Sequence, residues 1–140
     1  MSRIIRPADI NDRDTLFTLV TQFATSFAPK RELFEISFDQ LLADESACLP
    51  VAGEPGEVVG YCLGFDHYTF YANGRVAWVE EIMVREELRR EKIGAALMSA
   101  FETWAKSRGS TLVALATRRA APFYLALGYE DSATYFRKLL

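Results

Sequence analysis

The chain is poor in the residues that build metal centres, membrane spans and polyanion-binding faces. One histidine, His67, and two cysteines, Cys48 and Cys62, cannot furnish a zinc site of the usual kind, so no metal is expected. No run of 18 or more apolar residues occurs, which excludes a membrane-spanning helix. Charge of neither sign dominates: 16 Lys plus Arg against 19 Asp plus Glu give a net charge of −3, the wrong balance for non-specific nucleic-acid binding. Repeats, low-complexity tracts and dividing linkers are absent. The start, Met1-Ser2-Arg3-Ile4-Ile5-Arg6-Pro7, lacks the apolar stretch and small-residue cleavage site of a signal peptide. A reducing cytoplasm is therefore expected, with both cysteines as buried thiols. What is present is core-forming material: half of the 140 residues are hydrophobic and 13% are aromatic. A single domain over residues 1–140 can bury about 70% of its unfolded surface without staples.

Patterning predicts alternating strands and helices. Arg3 to Arg6 reads as a short strand. Asp12 is a fair N-cap for a helix carrying Leu16, Leu19, Val20, Phe23 and Phe27 at helical spacing, with Pro29 as its stop. Ser37-Phe38-Asp39-Gln40 is a capping-box pattern opening a short helix through Ala43. Ala47 to Ala52 reads as a strand whose Pro50 marks an edge or bulge. Val58 to Phe65 and Arg75 to Val84 are longer strands, joined by a segment with the turn signal Asn73-Gly74. A charged stretch, residues 85–92, precedes an amphipathic helix of Ile93, Ala96, Leu97, Ala100, Phe101 and Trp104, ended by Gly109. Leu112 to Ala116 suits a strand covered on both faces. Pro122 opens a helix to Leu127, and Tyr129 to Lys138 reads as a closing strand. The order is β-α-α-β-β-β-α-β-α-β, an α/β class.

The chemically informative stretch is strand, charged loop, helix. A helix N-terminus leaves several N–H groups unpaired, with the positive end of the dipole behind them. Such a turn favours phosphate. Gly94 and Ala95 let a ligand approach the backbone, and Arg89, Arg90 and Lys92 add positive charge. A solvated connector is the plainer reading.

This segment resembles the acetyl-CoA signature of the GCN5-related N-acetyltransferase superfamily, Arg/Gln-x-x-Gly-x-Gly/Ala between a strand ending in Val and an amphipathic helix. Val84, Arg89, Ile93, Gly94 and Leu97 stand where that pattern wants them. Arg90 and Lys92 stand where the family commonly has Gly. A second patch, Thr117 to Tyr129, is similar to the family's Asn-x-x-Ala-x-x-Phe/Leu-Tyr-x-x-x-Gly-Phe. There Ala120, Phe123, Tyr124, Gly128 and Tyr129 fit, and Thr117 replaces Asn. The resemblance spans the whole element order and is most specific over residues 78–129. It implies a mixed sheet of six to seven strands flanked by about four helices, with two strands splayed at the cofactor.

The resemblance also implies roles. Backbone groups of Ile82, Met83 and Val84 would pair with the pantetheine arm. The amides of Arg90, Glu91, Lys92, Ile93, Gly94 and Ala95 would hold the diphosphate, with Arg89, Thr117, Ala120 and Phe123 adding to the cofactor site. Tyr124 matches the usual general acid, a phenol able to protonate a leaving thiolate. Its rival role is that of a core aromatic. Glu80 and Glu81 interrupt an apolar strand, and strict alternation lets only one of them face a given pocket. Glu80, sharing a face with Ile82 and Val84, would be the base of a diamine-acetyltransferase-like pattern, and Glu81 a substrate-side charge; the exchange of the two roles stays open. His67 is a proton carrier near the acceptor or a polar loop residue. Arg118 and Arg119 touch a cofactor phosphate or water. Phe27, Phe34, Phe38 and Tyr68 line an acceptor cleft or belong to the core.

The expected activity is direct acetyl transfer from acetyl-CoA to a primary amine of a small cationic acceptor, without metal or covalent intermediate. The alternative is a catalytically silent CoA-binding sensor. Dimers are frequent in the family, and neither acceptor nor oligomeric state is legible in the chain.

Overall fold

The computed structural model describes residues 3–23 and 27–140, apart from the Phe23 side chain. Ten regular elements form in chain order: β1 Ile5–Pro7, α1 Arg13–Phe23, α2 Arg31–Ala43, β2 Ala47–Cys48, β3 Pro50–Ala52, β4 Gly60–Thr69, β5 Gly74–Val84, α3 Ile93–Ser107, β6 Val113–Leu115 and α4 Ala121–Ala126. The sheet runs β1-β3-β4-β5-β6, with β2 paired to β4. All neighbours are antiparallel except β5 and β6. It is the α/β class that the patterning predicts, and the mixed sheet that the resemblance implies, with six strands.

Each face of the sheet has its own core. One packs Leu97, Met98 and Phe101 of α3 against Cys62, Ala77, Val79 and Val84, with Tyr124 of α4. The other packs Leu16 and Leu19 of α1 and Phe38 of α2 against Val51, Tyr61, Leu63 and Met83. On the α3 face the fit is tight. Gly64 has no room for a side chain, because a Cβ there would lie 2.3 Å from the Phe101 ring and 2.6 Å from the Trp78 carbonyl oxygen. Two buried carboxylates fasten the frame. Asp12, 0% exposed, takes both Arg6 guanidinium nitrogens at 2.8 Å. Asp66 bonds Arg75 at 3.1 Å and Arg108 at the end of α3.

Several local expectations shift. Asp12 does not cap α1. Asp9 and Asp12 form a capping box over a 3-10 turn, Ile10–Asp12, that leads into the helix. Helix α2 begins six residues before Ser37, because Lys30, extended after Pro29, already turns the chain; the Ser37–Gln40 pattern lies inside it. Phe27 follows a stretch outside the described residues and is exposed rather than on α1. The 47–52 strand is two short ones broken at Leu49, and β4 runs on to Thr69, so His67 lies in a strand. The closing strand over Tyr129 to Lys138 is not formed. Residues 130–140 pair with no strand and are exposed, with Tyr135 stacked on Trp78 at 6.5 Å. Strand propensity without a ladder partner makes no strand.

Candidate active site

Strand β5 is where the fold departs from regularity. Its register with β4 slips between Leu63 and Gly64, so that Glu80 is the extra residue of a bulge. On its other edge β5 pairs with β6 only through Ala77, Trp78 and Val79. Beyond Val79, no described strand covers that edge, and a gap opens in the sheet. Arg85 donates its N–H to Val59 O at 2.9 Å. By ladder alternation Glu81 and Met83 also turn their peptide groups to β4, while Ile82 and Val84 turn theirs into the gap. Arg89 Nε donates to Val84 O at 3.2 Å, in keeping with that alternation. Of the three backbone positions expected along the pantetheine, Ile82 and Val84 therefore face the gap and Met83 does not.

The bulge also corrects the alternation argument for the two glutamates. Trp78 pairs across the ladder with Phe65, on the α1/α2 face, and its Nε1 donates to Glu80 at 3.0 Å. Tyr61, on that same face, donates its hydroxyl to Glu81 Oε1 at 2.7 Å. Both glutamates thus lie on the α1/α2 face, and Glu80 does not share a face with Ile82 and Val84. They differ in setting. Glu80 is exposed beside the indole. Glu81 is half-buried, and burial, with Glu80 nearby, raises its carboxyl above the usual range despite the Tyr61 hydrogen bond.

Glu81 is at the wall of a cleft of about 700 Å³ between the sheet and the α1/α2 layer, which Phe27, Phe34 and Phe38 also line. Tyr68 does not; it is exposed at the far end of the β4–β5 hairpin with Arg75 4.4 Å from its ring. His67, opposite Val76, is exposed and about six residues, or about 20 Å of strand, from Ile82. The tertiary structure does not bring it to the gap. Tyr61 is the site residue the sequence reading missed. Its signal was register, since a residue opposite Met83 is the diagonal neighbour of Glu81.

On the opposite face the loop after β5 forms a 3-10 turn, Glu86–Glu91, and enters α3 through Lys92 in the left-handed conformation, φ 63°. This is the position where the family commonly has Gly, and lysine adopts the same geometry at a cost of about 1 kcal/mol. The first N–H of α3 to find a helical acceptor is that of Ala96, on Lys92 O. The amides of Ile93, Gly94 and Ala95 precede it and point outward. Arg90 and Lys92 are exposed and carry no ion pair among the described residues, whereas Glu91 is drawn to Arg3 at 3.8 Å. Arg89 serves the frame by tying the loop to Val84. Gly94 serves packing as well as access, because a Cβ there would meet the Phe123 ring at 3.2 Å. Thr117 Oγ1 accepts from Ala120 N at 3.0 Å and shapes the turn into α4. Arg118 and Arg119 are exposed there. An unpaired strand edge ending in outward amides and free cations fits an extended amide chain with a diphosphate, which is the chemistry of CoA.

Tyr124 is 7% exposed, edge-to-face with Phe123 at 4.9 Å and Tyr129 at 5.9 Å. Tyr61 and Tyr129 donate their hydroxyls to Glu81 and Glu102, but that of Tyr124 makes no hydrogen bond among the described residues. Burial pushes the Tyr124 phenol up to about 12. The same desolvation pushes the Cys48 thiol up to about 12 and the Cys62 thiol higher, so neither is a ready nucleophile. Among the described residues no group of His, Cys, Asp and Glu could hold a metal, and no helix is long and apolar enough to cross a membrane.

The acetyltransferase (GNAT) family model matches residues 13–129. The aminoalkylphosphonate N-acetyltransferase of Salmonella typhimurium is 31% identical, over 97% of this chain and 90% of that protein. The aminoglycoside N(6')-acetyltransferase type 1 of Klebsiella aerogenes is 28% identical, over 99% and 98%. The crystal structure of glucosamine-6-phosphate N-acetyltransferase from Arabidopsis thaliana shares the fold, with a TM-score of 0.86, 20% identity and 99% of both chains covered.

Proposed function

The chain belongs to the acetyltransferase (GNAT) family, and from that premise we propose that Glu81 and Tyr124 are its base and acid in acetyl transfer to a primary amine of a small acceptor. As a member it is an acetyl-CoA-dependent N-acetyltransferase. The observation that carries the assignment is one of placement. A desolvated carboxylate and an unpartnered phenol lie on opposite faces of a sheet that is open between them.

Acetyl-CoA, when bound, supplies a thioester whose carbonyl carbon is the electrophile. The free N–H and C=O groups of Ile82 and Val84 N–H hold its amide arm, and the amides of Ile93, Gly94 and Ala95, with Arg90 and Lys92, hold its diphosphate. Glu81 accepts the proton of the incoming ammonium. Its raised carboxyl lies nearer neutrality than an exposed glutamate, which strengthens it as a base. Tyr61 fixes one carboxylate oxygen and leaves the other for the amine. Tyr124 gives its proton to the departing thiolate. A phenol near 12 suits this task because desolvation beside it raises the departing thiolate as well. Glu80, exposed and engaged by Trp78, has no part in proton transfer here.

The test is release of free thiol from acetyl-CoA with a panel of amines, carboxylates and alcohols. Glu81→Gln and Tyr124→Phe should depress turnover while calorimetric affinity for acetyl-CoA holds. Equal loss of binding, or no turnover with any amine, would favour a silent CoA-binding module. We also read the chain as one N-acetyltransferase domain that pairs with a second copy. Support comes from β6, which ends the sheet among the described residues, and from residues 130–140, strand-like in composition but part of no described strand, with Phe136 86% exposed. Monomeric sedimentation of the whole chain at micromolar concentration would refute the pairing.

A further inference from the structure

We propose that the acceptor is a primary monoamine with an apolar body, aryl or alkyl, rather than a polyamine or an amino sugar. The inference rests on Glu81 as the acceptor-side base. The cleft that Glu81 closes has room for such a molecule at about 700 Å³. Its lining is overwhelmingly carbon: Leu16, Val20, Phe34, Phe38, Leu41 and Leu63 make most of the wall along the sheet and helices. The polar groups that reach it are few. Ser37, Tyr61, Lys30 and Glu81 are the polar side chains of the lining. Tyr61 is already spent on Glu81.

Three consequences follow for recognition. One carboxylate with one oxygen free suits one ammonium. A ring of hydroxyls entering this cleft would lose its water and find almost no partner, whereas methylenes and aryl carbons gain by leaving water. Lys30, an exposed residue of the lining, adds positive charge at the solvent side of the cleft, so a second ammonium on the acceptor meets repulsion there. Of the two glutamates, only Glu81 lines the cleft, so the cationic acceptor expected from the sequence meets one carboxylate there; Glu80 is outside the lining.

The test uses the full chain with acetyl-CoA and reads initial rates of thiol release. Propylamine, butylamine, pentylamine and hexylamine should show kcat/KM rising about threefold per methylene, the increment expected of carbon leaving water. Phenethylamine should match or exceed hexylamine. 1,6-Diaminohexane and glucosamine should fall at least tenfold below hexylamine. Lys30→Glu should narrow the gap between hexylamine and 1,6-diaminohexane, and Phe34→Ala should flatten the chain-length series with the melting temperature lowered by only several degrees and unfolding still cooperative. A flat series in the parent enzyme, or preference for glucosamine or the diamine, overturns the proposal and leaves the Glu81 assignment standing. Failure with every amine overturns both, through the assignment itself.

Discussion

The two faces of the sheet are built from the same residue types to opposite ends. On the α3 face Phe101, Leu97 and Cys62 are fully buried and Gly64 cannot accept a methyl group. On the α1/α2 face an equally apolar set of Leu and Phe leaves a cleft large enough for a small molecule, walled in part by a half-buried carboxylate. The difference lies in what each face must do. The tight face holds a strand edge and a helix N-terminus in fixed relation, the frame proposed to position the cofactor. The open face carries the cleft proposed for the acceptor. On the proposed assignment, rigidity serves the common cosubstrate and room serves the particular one.

The sharpest break in that comparison is a matched pair of truncations. Phe101→Ala should cost about 3–5 kcal/mol in urea unfolding, because its space is closed on all sides. Phe34→Ala, at the cleft wall, should cost much less, about 1–2 kcal/mol, since solvent already reaches the site. Equal costs would mean that the cleft is closed in solution. Next in size, Glu81→Gln should lower kcat/KM about 10²- to 10³-fold, a typical loss for a general base. Tyr124→Phe should lower kcat about 10-fold to 100-fold without altering acetyl-CoA affinity in calorimetry.

A pH profile sharpens the contrast further. As the proposed base, Glu81 must be deprotonated, so kcat/KM should rise with pH through the Glu81 titration, at a pH above that of an exposed glutamate. Tyr61 lowers that carboxyl by hydrogen bonding, so Tyr61→Phe should move the limb to higher pH. A limb that stays put would remove Tyr61 from the site. The smallest effect is expected of Glu80→Gln, under about twofold in kcat/KM, because its partner is an indole outside the cleft. A large loss there would return the base role to Glu80.

Much of the site was legible locally. Strand β5, the helix start at Gly94 and the helix after Pro122 came from residue order, because a strand-loop-helix turn and a proline-opened helix are short-range structures, whereas the roles of Gly94 and Tyr124 came from the family resemblance. The assignment of faces was not legible. Counting by twos along Trp78-Val79-Glu80-Glu81-Ile82 puts the glutamates on opposite sides, and one bulged residue puts them on the same side. Nothing in that segment announces a bulge, since it forms where β4 supplies one residue fewer. The missing closing strand has the same origin. Tyr129 to Lys138 has strand composition, but pairing needs a partner edge in the right place.

By itself, then, the order of residues determined most of the kinds of element up to α4, and the helix start after β5 whose outward amides depend only on a helix beginning after a strand. It also determined that a lysine would stand at the loop's last position. Only the folded chain decided that this lysine would take a left-handed turn, that Tyr61 would reach Glu81, and that the α1/α2 layer would leave a cleft beside it. Those facts are set by contacts between segments far apart in sequence, and burial, which raises Glu81 and Tyr124, exists only once those segments have met.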